Sequence, residues 1–160
     1  MNAGILPLLL ICATVGLALS IVGWRDAWLG VSAIALSALL ASLLPFDPTV
    51  AKVVFAGLFL STVFTAALIY VPRRWPRRWA IPIAINGGGW AGALASLSGM
   101  HRALWFALPL ALLFVPGRWF EQRGFGIAIK VAASWMIAIA SLSLFVSLMP
   151  HPGYVPDHME

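Results

Sequence analysis

The chain has 160 residues, 62% of them hydrophobic and 9% charged, with a mean hydropathy of +0.97 and a formal net charge of +5. No water-soluble domain hides that much apolar surface, and no length remains for a soluble catalytic module. The basic residues fall between apolar runs, which reads as membrane anchoring and leaves no role for nucleic acid, while the lone cysteine, Cys12, excludes an intrachain disulfide and any Cys-pair metal or redox motif.

A bilayer core takes about 20 apolar residues per helix, so the predicted fold is all-α and polytopic, with six transmembrane helices. In chain order the spans are residues 5–23, 27–44, 53–71, 80–98, 103–115 and 125–149. The first run has no Lys or Arg ahead of it and no small-x-small pattern after it, so it reads as a permanent span rather than a removable signal. The fifth is short, rising only about 20 Å. It gains length if it begins near Met100, with Arg102 reaching back to the headgroups. A five-span alternative would fuse the fourth and fifth runs through Gly99-Met100-His101-Arg102.

An internal repeat argues for six. Tyr70-Val-Pro-Arg-Arg-Trp75 is answered by Phe114-Val-Pro-Gly-Arg-Trp119, and nine of the 20 positions from Ala67 to Asn86 are identical to Ala111 to Lys130. After a one-residue shift, six of nine more agree between Trp90–Ser98 and Trp135–Ser143. Chance identity at this composition is roughly one position in ten, so a unit of about 44 residues is duplicated. Trp24-x-x-x-Trp28 followed by Ala33-Ile34 echoes Trp75-x-x-x-Trp79 followed by Ala84-Ile85. The expected architecture is therefore two or three repeated hairpins, over 4–44, 50–98 and 100–149, in one transmembrane domain with a short tail at 150–160.

The charges orient it. The turns after the odd-numbered spans hold Arg25, then Arg73, Arg74, Arg77 and Arg78, then Arg118 and Arg123, with Lys130 just beyond; the other side holds only Lys52 and Arg102. This bias places the Arg-rich turns in the cytoplasm and both termini outside, as in a bacterial inner membrane.

Four sets of residues carry chemistry. Arg73, Arg74, Arg77 and Arg78 with Trp75 and Trp79 form a cytoplasmic turn suited to anionic lipid, since Arg meets phosphate bidentately and Trp prefers the headgroup layer. The same residues also serve plain topology anchoring. Asn86 and Lys130 hold equivalent repeat positions a few residues into their spans; Lys130 is close enough to the interface to snorkel, and the two are also candidates for a mutual hydrogen bond or a solute pathway. Gly87-Gly88-Gly89 either opens an unwound segment or lets two helices pack closely.

His101, His151, His158 and Met159 gather on the outer face, a donor set for a metal ion, although their spacing matches no known metal motif. No cofactor beyond that ion is indicated.

No Asp or Glu lies within a span, which counts against ion-coupled transport. No nucleophile, Walker or HExxH pattern is present, so an enzyme is not expected. What remains is apolar, small-residue packing surface studded with Trp. That suits an accessory or assembly subunit of a larger membrane protein complex; the alternative is a small oligomeric channel or carrier for a small solute or metal ion.

Overall fold

The computed structural model describes residues 5–71 and 79–149. Among the described residues it is all-helical, without strands. The helices are α1 (Ile5–Leu19), α2 (Trp24–Ser42), α3 (Ala51–Leu68), α4 (Ala80–Ser98), α5 (His101–Ala107), α6 (Phe114–Gln122) and α7 (Gly126–Leu148). A 3-10 turn, Pro48–Val50, leads into α3, and a 3-10 segment, Leu108–Leu113, joins α5 to α6 as one rod.

Among the described residues four segments are long and apolar enough to cross a bilayer: Pro48–Leu68, Ala80–Ser98, His101–Gln122 and Gly126–Ser147. Ile5–Leu19 is apolar but shorter. α2 has the length, but Arg25 and Asp26 in its first turn lower its hydropathy.

The fifth segment differs most from expectation. The helical rod runs on past Val115 to Gln122, so Arg118, expected in a turn, sits on a helix. Pro109 and Pro116 explain its changing pitch. Each lacks an N–H and so removes an i→i−4 bond, and the chain between them tightens to 3-10 geometry.

The boundary before this rod is sharp. Gly99 is left-handed (φ 63°) and the Met100 N–H donates to the Ala95 carbonyl, a Schellman-type stop that separates α4 from α5.

α1 is the axis of the molecule. It touches every other helix, and Leu8, Ile11, Thr14 and Val15 are fully buried. A helix that is apolar all round belongs inside.

Two close approaches lock helices together, and glycine permits both. A Cβ on Gly16 would stand 2.6 Å from the Leu110 carbonyl oxygen, so α1 meets the 3-10 segment backbone to backbone. A Cβ on Gly88 would collide with Ser37 Oγ and lie 2.5 Å from the Ile34 carbonyl oxygen, and one on Gly92 would collide with the Ala38 carbonyl. Residue numbers rise together along both helices, so α2 and α4 run parallel in a seam of small residues.

α7 is peripheral. It leans on α3 through Ile129 and Ala133 against Ala66 and Ile69, and the Tyr70 hydroxyl donates to the Lys130 carbonyl at 2.6 Å.

Candidate functional site

The residues expected to carry chemistry do not converge on one site. Asn86 is the centre of a small polar network. Its side-chain amide donates to Ser61 Oγ on α3, and its Oδ1 accepts from the Trp90 indole N–H at 3.2 Å. The Trp90 ring in turn covers Gly57. The network ties α3 to α4, so the amide's polar atoms are occupied by these neighbours rather than by Lys130.

Lys130 lies elsewhere, exposed near the start of α7. Its backbone carbonyl is the acceptor for Tyr70.

The three glycines are part of an unbroken helix, since α4 runs from Ala80 to Ser98 without interruption. They face three different surroundings. Gly87 meets Val15 of α1, Gly88 meets α2, and a Cβ on Gly89 would enter open space. Gly92, which the sequence reading passed over, is as tightly packed as Gly88. The Gly88-x-x-x-Gly92 spacing was the available signal.

Of the Arg-rich turn, residues 72–78 lie outside the described set, and with them Arg73, Arg74, Trp75, Arg77 and Arg78. Trp79 is half-exposed beside the first residue of α4. Of the outer-face metal candidates only His101 is described; it is exposed at the start of α5. His151, His158 and Met159 lie outside the described residues. Among the described residues no group of three or more His, Cys, Asp or Glu side chains is placed to hold a metal ion.

The end of the bundle where α1 stops and α2 begins carries the densest described chemistry. Arg118 of α6 donates to the Val22 carbonyl at 2.5 Å, meeting an orphan acceptor just past the end of α1. Trp24, Trp28 and the fully buried Phe114 stack edge-on and tilted, with ring centroids 5.3–5.9 Å apart. The Arg123 guanidinium lies 4.2 Å above the Trp119 ring centroid.

Two adjoining hollows open at this end. One, of about 290 Å³, is lined by Ile21, Val22, Gly23, Arg118, Glu121 and Gln122. The other, of about 390 Å³, is lined by Trp24, Val115, Arg118, Trp119 and Gln122. Nothing in the sequence separated Arg118 from the other turn arginines, because its partner Val22 is 96 residues away.

Comparison of the chain with protein-family models, with curated proteins and with solved structures finds no match to any of them.

Proposed function

We propose that the chain is an accessory or assembly subunit of a larger membrane protein complex, with no catalytic activity of its own. In this reading six helices cross the bilayer as repeated hairpins, the Arg-rich turns lie in the cytoplasm, both termini lie outside, and the host membrane is a bacterial inner membrane. α1 and α2 complete the count of six, beside the four helices that are both long and apolar enough to cross a bilayer.

The observation that carries the reading is the filled axis. α1 occupies the centre of the bundle, where Leu8, Ile11, Val15, Leu58 and Leu94 are buried to within 1% of full enclosure. A carrier that moves solute through its own centre keeps polar groups along a cavity there. An assembly subunit needs a rigid core and apolar outer faces instead. α7 supplies such a face, with Ile127, Val131, Trp135 and Leu142 all at least half exposed.

The test is gentle-detergent purification of the tagged chain from its native membrane, with mass spectrometry of what co-elutes. A stoichiometric larger partner, lost together with this chain when either is deleted, is the expected result. A homo-oligomer that moves a solute or metal ion when reconstituted alone would overturn it in favour of the channel or carrier.

A further inference from the structure

The paired hollows around Arg118 differ in charge. The larger is flanked by Trp24 and Trp119 and, among the described residues, has Arg118 as its one charged lining residue; the smaller adds Glu121. Arg118 and Glu121 are three apart on α6, the spacing that sets side chains next to one another, roughly 5–6 Å between Cβ atoms. We propose that these hollows bind one membrane phospholipid with a primary-ammonium headgroup, phosphate at Arg118 and ammonium at Glu121. The proposal rests on the membrane placement given above.

The chemistry fits in four respects. A guanidinium has five N–H donors, and the bond to the Val22 carbonyl uses one while holding the side chain in place. An Arg fixed in this way suits phosphate, which it binds bidentately, and loses less freedom on binding. Trp24 and Trp119, each nearly half exposed, are the residue type that sits at headgroup depth. Val115 and Leu112, both 41% exposed, continue the rod one and two turns beyond Arg118 and offer an acyl chain an apolar track. The larger hollow falls within the range of small-ligand sites, roughly 300–1,000 Å³.

A carboxylate beside an arginine disfavours a purely anionic headgroup and favours a bipolar one. A quaternary ammonium would carry the charge without the hydrogen-bond donors that Glu121 accepts. The competing arrangement is an Arg118–Glu121 pair within α6, which would leave lipid retention indifferent to the headgroup.

The experiment uses the full chain in nanodiscs containing equal amounts of phosphatidylethanolamine, phosphatidylglycerol and phosphatidylcholine, with native mass spectrometry of the lipid retained on ejection. One phosphatidylethanolamine is expected, preferred about tenfold over phosphatidylcholine, as one charge-assisted hydrogen bond would give. Arg118→Gln should abolish retention. Glu121→Gln, at an exposed position, should keep one phospholipid bound but erase the preference for ethanolamine over choline. Millimolar soluble phosphoethanolamine should not displace the lipid.

Equal retention of the three lipids by the wild type would overturn the proposal, as would unchanged selectivity in Glu121→Gln. Displacement by soluble phosphoethanolamine would show a site for the free headgroup and overturn the lipid assignment. A chain that stayed out of the nanodiscs would overturn the membrane placement itself, and the site with it.

Discussion

α4 and α7 carry the same sequence motif and live in different surroundings. Trp90-x-x-Ala93-x-Ala95-Ser96-Leu97-Ser98 and Trp135-x-x-Ala138-x-Ala140-Ser141-Leu142-Ser143 align without a gap. Yet 56% of the span in α4 is buried, against 17% in α7. Trp90 covers Gly57 and donates to Asn86, whereas Trp135 is 68% exposed.

The difference traces to positions between the shared residues. In the same alignment Gly88 faces Ala133 and Gly92 faces Ile137. Glycine lets α4 bring its backbone against α2, whereas at the corresponding place α7 carries Ile137, which packs through its side chain on the cluster around Ala66 and Ala133. In a membrane the tails outside are as apolar as the core inside, so contact is decided by how closely backbones can approach.

The comparison breaks most severely if α4 is given its counterpart's residue. Gly92→Ile sets a branched side chain against the Ala38 carbonyl. It should destabilise the fold by about 2–3 kcal/mol, the upper range of overpacking, read as a lowered midpoint of thermal unfolding in detergent. A variant that melts like the wild type would mean the seam is not what holds α4.

Next in size is the contrast between centre and rim. Ile11→Ala, at a fully buried position on α1, should cost about 2 kcal/mol. Ile127→Ala, 77% exposed on α7, should change stability by less than about 0.5 kcal/mol. Equal losses would place α7 against something as tightly packed as α1.

Within the triplet, Gly89→Ala meets open space and removes a flexible residue from a helix interior, so a gain of up to about 1 kcal/mol is expected. The same change at Gly88 should destabilise, and urea or thermal midpoints of the pair will show opposite signs.

Asn86→Leu removes the Ser61 bond that links α3 to α4, together with the bond to Trp90 within α4. Hydrogen bonds between membrane helices average about 0.6 kcal/mol, so the loss is small but measurable. Trp135→Ala should leave stability alone; under the proposed function, its effect is loss of a co-purifying partner.

The smallest effect is in the turn before α3. The Asp47 carboxylate accepts the Thr49 N–H at 2.8 Å, which holds its pKa below the ordinary carboxylate range. A lowered folded-state pKa contributes stability at neutral pH that fades as pH falls through it. Asp47→Asn should flatten that slight acid dependence. An unchanged pH profile would show that the cap has no thermodynamic weight.

Composition alone determined that this chain is helical and apolar enough for a bilayer, because a surface this rich in hydrocarbon has no soluble solution and lipid-exposed backbone must bond within itself. Local chemistry placed most of the helices: Gly99 ends α4 ahead of α5, and the prolines of the fifth run mark where its pitch changes. What the sequence left undecided is who packs on whom. α1 is the more apolar of the two, but neither α1 nor α7 has a marked polar face, and only the fold makes one the axis and the other the rim. Arg118 looked like any other anchoring arginine until the end of α1 came within reach of it. Asn86 and Lys130, aligned in the sequence, parted because their neighbours differ. Contacts across dozens of residues depend on backbone approach, and that is a property of helix pairs rather than of either helix alone.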